Sequence, residues 1–364
     1  MMRTKKTLLM ALCLIVSTMA MQAQSTSAKK ARIDEIRKMY AEAKDKPAFD
    51  MQITVNDVVS RETDGPSKRE LNYYFYNERQ IAGEGDFFEM PVCYFVTEKW
   101  SAFGQQLYRE LLFNTADGKL AFAYNHVKTP QGVVTDSRFY YNDGQLIEQI
   151  HKSGKNGQLK DIAPDDEDNI YTDSDNELQM AEELRSVFYY LTYADGGEDD
   201  DAQHQLKVTP KDQRMKQIRE AYPKALKKTE RSAKIKTPRD IKVVIHDQDE
   251  GDCPPTTKEI NYWFENMTDP NSGDNICDFI TQHYFFMGFD SQKQFLINPI
   301  NNRLMFAYEV CKEQNEKMEW RYYFDENEKC IEVKKTNTED EGEENYYKQT
   351  VKLYIKAFNI LLNN

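Results

Sequence analysis

The hexapeptide KLAFAY at 119–124 returns almost unchanged as RLMFAY at 303–308. Sliding the chain along itself extends the match. Cys93-Tyr94-Phe95-Val96-Thr97 aligns with Cys277-Asp278-Phe279-Ile280-Thr281, and Gly104 with Gly288. Leu111-Leu112-Phe113-Asn114 then aligns with Phe295-Leu296-Ile297-Asn298. No gap is needed from Cys93 to Tyr124. With small shifts of register, ELNYYF (70–75) matches EINYWF (259–264), and RFYY (138–141) matches RYYF (321–324). Upstream, IRKMYAEAK (36–44) matches IREAYPKAL (218–226). An ordered series of this kind predicts one unit written twice, and its period is far longer than a solenoid repeat.

Each copy reads as helix, strands, helix. Ile33, Ile36, Met39, Tyr40 and Ala43 recur at helical spacing. In the second copy Pro223 follows Tyr222 and predicts a kink or an early stop. Strand-like runs follow near 51–59, 68–77, 92–102, 107–114, 119–127, 136–142 and 145–151. Asp117-Gly118 and Asp143-Gly144 read as tight hairpin turns, with Asn301-Asn302 and Glu326-Asn327 at the matching places. The 12% aromatic share, with 22 Tyr and 19 Phe, suits pleated surfaces. Ser174 and Glu177 have capping-box spacing ahead of a helix carrying Leu178, Ala181, Leu184, Val187, Phe188 and Leu191. Tyr347, Val351, Tyr354, Ile355, Phe358 and Leu362 form the matching closing helix.

The expected fold is therefore α+β: two tandem copies of a helix–antiparallel β-meander–helix domain, with the helices covering the sheet's apolar face. The copies span 30–194 and 210–364, and the acidic, Gly-containing stretch 195–209 joins them as a flexible linker. In KLAFAY, Leu120, Phe122 and Tyr124 alternate and mark an inward face, as do Leu304, Phe306 and Tyr308.

The N-terminus carries an address. Arg3, Lys5 and Lys6 precede an apolar run from Leu8 to Met21, and Ala23 offers a cleavage point. This is the pattern of a cleaved signal peptide over 1–23, too short for a membrane helix. It predicts export to periplasm, cell surface or medium, with no transmembrane segment in the mature chain. Setting Cys13 aside leaves Cys93, Cys253, Cys277, Cys311 and Cys330, an odd number and not a disulfide scaffold.

Chemical motifs are sparse. The five histidines show no metal-ligand spacing among themselves or with cysteine. His126 and His283 lie in predicted strands without counterparts in the other copy. Cys93 and Cys277 begin apolar runs and read as buried structural residues. Asp173-x-Asp175-x-Glu177 alternates oxygen ligands, but Leu178 stands where a calcium loop needs Gly. No phosphate-binding or dinucleotide loop is present, so no cofactor is predicted. A formal net charge of −13 argues against nucleic acid as partner.

The sharpest candidates are aromatic. Leu71, Tyr73 and Phe75 share one strand face, and Ile260, Tyr262 and Phe264 the matching one. The opposite face carries Tyr74 in one copy and Trp263 in the other. Trp100 pairs likewise with Tyr284, and Tyr140 with Tyr323. Large rings on a face expected to be polar predict a ligand-binding platform. Arg138 and Arg321, also equivalent, stand ready to stack on rings or pair with carboxylates. The leading reading is a non-enzymatic, exported envelope protein that binds a glycan or protein partner. A carboxylate-dependent hydrolase with its site between the halves is one alternative. A purely structural or inhibitory interaction module is the other.

Overall fold

The computed structural model describes residues 26–46, 49–57, 67–83, 86–102, 104–155, 157–163, 173–192, 205–232, 240–247, 256–265, 276–286, 288–313, 316–338 and 344–363. The expected leader (1–23), Cys253 and residues 195–204 of the expected linker lie outside them. Residues 205–209 of that linker are pinned to the second half. Leu206 N–H donates to Asn327 Oδ1 at 2.7 Å and Thr209 N–H to Glu326 Oε2 at 3.0 Å.

A first helix, α1 (26–45), precedes eight strands. They are β1 (Phe49–Asp57), β2 (Ser67–Gly83), β3 (Asp86–Ala102), β4 (Gln105–Phe113), β5 (Leu120–Lys128), β6 (Val133–Asn142), β7 (Gln145–Lys155) and β8 (Gln158–Ile162). Helix α2 (Ser174–Thr192) ends the first half. Helix α3 (Lys211–Ser232) opens the second. Seven strands follow: β9 (Asp240–Asp247), β10 (Thr256–Glu265), β11 (Ile276–Phe286), β12 (Phe289–Ile297), β13 (Leu304–Glu313), β14 (Glu316–Phe324) and β15 (Cys330–Thr336). Helix α4 (Glu344–Asn363) closes the chain.

All the strands form one antiparallel sheet, in the order β15-β14-β13-β12-β11-β10-β9-β1-β2-β3-β4-β5-β6-β7-β8. Two meanders meet at β1 and β9. There Ile53 stands opposite Val243, Met51 opposite Ile245 and Val55 opposite Ile241. On their outer sides Ile53 pairs with Leu71 and Val243 with Ile260. The register places a local two-fold axis through the Ile53–Val243 pair, the geometry of a self-complementary interface within one chain.

The helices do not share a face. Helices α2 and α4 cover one side, where their apolar stripes join one core cluster with residues from both halves, Met51, Ile53, Val243 and Ile245 among them. Phe188 packs on Tyr73 and Phe75 with centroids at 6.0 and 5.2 Å. Phe358 does the same to Tyr262 and Phe264 at 5.8 and 5.4 Å. On the other side α1 covers Phe95, Phe122 and Tyr140, and α3 covers Phe279, Phe306 and Tyr323. Both faces must therefore be apolar where a helix lies. That is the physical reason the strands carry large rings on both sides, where the sequence reading expected one polar face.

Three matched irregularities cross each meander. Register shifts fall at Tyr74/Phe75, Leu112/Phe113 and Tyr140/Tyr141 in the first half. They recur at Trp263/Phe264, Leu296/Ile297 and Tyr323/Phe324 in the second. Each inserts one extra residue, a β-bulge, in the partner strand. The bulge at Ala121 puts Leu120 on the α2 side while Phe122 faces α1. The three alternate residues of KLAFAY thus serve two cores, not the single inward face expected, and Leu304 and Phe306 split in the same way. The Cys277 thiol donates to the Phe279 carbonyl at 3.5 Å and the Cys330 thiol to the Glu332 carbonyl at 3.5 Å, both beside such bulges. Cys93, Cys277, Cys311 and Cys330 are free thiols.

Other local expectations need correction. Helix α3 runs through Pro223 to Ser232. Packing of Met215, Ile218, Tyr222 and Ala225 beneath it outweighs the lost backbone bond. Asp173, not Ser174, caps α2: its side chain accepts from Asp175 N–H at 2.9 Å. Asp117-Gly118 belongs to a six-residue connection, with Asn114 N–H bonded to Lys119 O at 2.8 Å. The equivalent bond joins Asn298 N–H to Arg303 O at 2.9 Å. Asp143-Gly144 is the two-residue hairpin expected, both residues at positive φ (52° and 75°). At the β14–β15 turn the left-handed residue is Glu328, not Glu326 or Asn327.

Candidate functional site

The six aromatic candidates separate into three groups. Tyr74 and Tyr140 pack beneath α1, and Trp263 and Tyr323 beneath α3. Tyr140 is 5% exposed and Tyr323 7%. These four belong to the packing beneath the helices; of them Tyr140 also lines a narrow slot beside α1. Tyr284 is half-buried at the edge of the second meander, beside exposed Phe285. Trp100 lines a groove on the first half.

That groove has a volume of about 350 Å³ and lies on β2–β5. Strand alternation explains its composition. The register row Glu70–Lys99–Tyr108–His126 runs across β2, β3, β4 and β5, and Lys68–Ser101–Gln106–Lys128 lies one step further along the strands. Both rows share the sheet face of Tyr124, beyond the strip that α1 covers. Trp100 and Leu107 close one side. Lys68 pairs with Glu70, and His126 Nδ1 lies 2.7 Å from Asp136 Oδ1. Lys99 and Lys128 are exposed and have no carboxylate within ion-pair distance among the described residues. Burial and the neighbouring Glu110 carboxylate push the Tyr108 hydroxyl well above the ordinary phenol range, so it stays protonated and donates to Glu110 Oε1 at 2.7 Å. The groove thus offers two ammonium groups uncompensated among the described residues, an imidazole, and the rings of Tyr108 and Trp100.

The sequence reading found Trp100 by its size. It missed Lys99, Tyr108 and Lys128, because single lysines alternating along a strand look like any solvated face.

The opposite face hides a second polar arrangement. Glu98, Arg109, Asn125, Ser137 and His151 are successive register partners across β3 to β7, and all are buried. Glu177 of α2 closes over the row instead of turning back to cap its helix. Arg109 donates to Glu98 Oε2 at 2.6 Å and to Glu177 Oε1 at 3.1 Å, and Asn125 donates to Glu177 Oε1 at 2.7 Å. Arg69 adds a bond to Glu98 Oε1 at 2.6 Å. Burial by itself would raise the Glu98 carboxyl, but Arg69 and Arg109 overcome that and hold it below the usual range.

The second half has Gln282, Lys293 and Glu309 at the same three row positions. Tyr347, whose ring packs there on Phe295 and Tyr322, donates to Glu309. Tyr354 donates to Gln282 Oε1 at 2.7 Å. Glu98 and Glu177 converge as a hydrolase would require, yet both are buried and paired with the guanidiniums of Arg109 and, for Glu98, Arg69. His151 and Ser137, with Nδ1 and Oγ 2.9 Å apart, are equally inaccessible. The row is structural.

Among the described residues no group of three or more His, Cys, Asp or Glu side chains could hold a metal ion. No described helix is long and apolar enough to cross a membrane. No family model and no curated protein matches the chain. Among solved structures, a β-barrel-like protein of the domain of unknown function DUF1849 from Brucella abortus is similar over 80% of this chain and 99% of that one, at 8% identity and a TM-score of 0.14.

Proposed function

We propose that this is an exported, non-enzymatic cell-envelope binding module, built by duplication, that holds an acidic glycan in the β2–β5 groove. The leader-like segment 1–23 supports export. The two-fold register about Ile53–Val243 and the matched bulges support duplication. One observation carries the binding assignment: among the described residues Lys99 and Lys128 have no ion-pair partner, and they line one groove with Trp100 on a chain of net charge −13. On so acidic a surface, unpaired lysines beside an accessible indole match a ligand bearing both negative charge and flat apolar ring faces. The indole stacks on a sugar ring while the ammonium groups meet its carboxylate or sulfate.

Trp100 is also a convenient reporter. Of the three tryptophans, Trp320 is buried and Trp263 lies under α3. Titration of the full chain with a uronate-rich polysaccharide is expected to change tryptophan emission saturably. The change is lost in Trp100→Ala and falls with added salt. A titration that stays flat for acidic glycans, or that survives Trp100→Ala, removes this reading. Saturation by an acidic protein fraction alone would replace the glycan with a protein partner.

A further inference from the structure

The two halves place equivalent arginines on equivalent strands and use them differently. In the second half Arg321 donates to Glu319 Oε2 at 2.7 Å and lies 5.3 Å from the Tyr308 ring. Its counterpart Arg138 lies 5.7 Å from the Tyr124 ring. The position equivalent to Glu319 is Asp136, and Asp136 is already engaged. His126 Nδ1 lies 2.7 Å from its Oδ1, and Tyr124 Oη donates to the same atom at 3.2 Å. Val310 replaces His126 in the second half, so Glu319 has no imidazole to hold and stays with its arginine.

Arg138 is thereby left with no carboxylate within ion-pair distance among the described residues. The nearby Glu110 is also engaged, by Tyr40, Tyr108 and Lys44. Arg138 borders a slot of about 240 Å³ between α1 and β5–β6, lined also by Arg37, Tyr40, Phe122, Tyr124 and Tyr140. Arg37 lies 5.7 Å from the Tyr140 ring, and its carboxylate neighbour is Asp34, an exposed side chain of its own helix.

We infer that this slot is an anion site of the first half, taking a carboxylate, sulfate or phosphate carried on a single aromatic ring. The guanidiniums supply planar, charge-assisted donors for the anion. Four aromatic rings supply an apolar wall for the ring that carries it. The volume is below that of drug-sized ligand sites and limits the occupant to about one ring. The slot lies on the same sheet face as the groove of Trp100 but shares no lining residue with it, so the two can fail separately.

Calorimetric titration of the full chain tests this with three probes: phenyl phosphate, inorganic phosphate and benzyl alcohol. Phenyl phosphate is expected to bind saturably at one site, at least ten-fold more tightly than either other probe. Arg138→Gln is expected to weaken it ten-fold or more, while Arg321→Gln and Trp100→Ala leave it unchanged. A second variant leaves the slot's own lining intact. His126→Val with Asp136→Glu copies the second half, supplies Arg138 with a carboxylate, and is expected to weaken phenyl phosphate comparably. Absence of saturable binding, equal binding of benzyl alcohol, or equal loss in Arg138→Gln and Arg321→Gln overturns the assignment. So does full binding by the His126→Val, Asp136→Glu variant.

Discussion

At the residue scale, the buried row across β3–β7 behaves as a unit. Arg109 bonds both Glu98 and Glu177, so Arg109→Met strands Glu177 in the core and leaves Glu98 to Arg69. A loss of about 3–5 kcal/mol in urea unfolding is expected, the size seen when one partner of a buried pair is removed. The second half shows the alternative solution. Replacing Glu98, Arg109, Asn125 and Glu177 together by Gln, Lys, Glu and Tyr is expected to cost less than Arg109→Met alone, since contacting residues are not additive. His151 gives the row a pH dependence. It is 3% exposed, its Nε2 has no partner, and burial lowers its pKa below the ordinary imidazole value. The unfolded chain therefore binds a proton more readily than the folded one. Stability is fully present above about pH 6.5 and declines as pH falls from there toward the lowered folded value. Denaturation midpoints at pH 7.5 and 5.5 should differ in that direction, and His151→Gln should reduce the difference.

At the element scale, the two halves serve as internal controls. Pro223 sits exposed in α3, where the matching position in α1 is Ala41. Pro223→Ala restores a backbone donor and is expected to stabilise by about 1–3 kcal/mol, read as a rise in the unfolding midpoint. Phe188 and Phe358 fill equivalent holes, each against two rings of the neighbouring strand. Truncation of either to Ala should cost about 3–5 kcal/mol. Helical spacing exposed the apolar stripes of all four helices in the sequence. It could not say which sheet face each one covers, because a stripe encodes burial and not direction. That gap put Tyr74, Tyr140, Trp263 and Tyr323 on an open platform, where the structure packs them beneath α1 or α3 and leaves Tyr140 at the slot beside α1. Trp100 alternates with Lys99 on β3, so by register it belongs to the face of Glu98, and it is the one of the six that lines the groove on β2–β5.

At the scale of the molecule, one sheet and one shared core run through both halves. We expect a single cooperative unfolding transition. Emission from Trp100 in the first half and from Trp263 and Trp320 in the second should lose native character together. Ile53→Ala, on the two-fold axis, should lower both midpoints equally. Separate transitions for single-tryptophan variants would show that the halves are independent. The groove and the slot both sit in the first half, at positions where the copies differ. His126 against Val310, Lys99 against His283 and Asp136 against Glu319 are local substitutions on a common frame.

The sequence by itself determined the helix stripes, most strands and the Asp143-Gly144 turn, because these depend on neighbours within a few residues. Tertiary structure decided the rest. Pairing of β1 with β9, the split of the helices between two faces and the closure of Glu177 over Arg109 each join residues distant in sequence. No local periodicity records such contacts. Which charges are left unpaired at the surface is decided in the same way, by what the fold brings within about 4 Å of them.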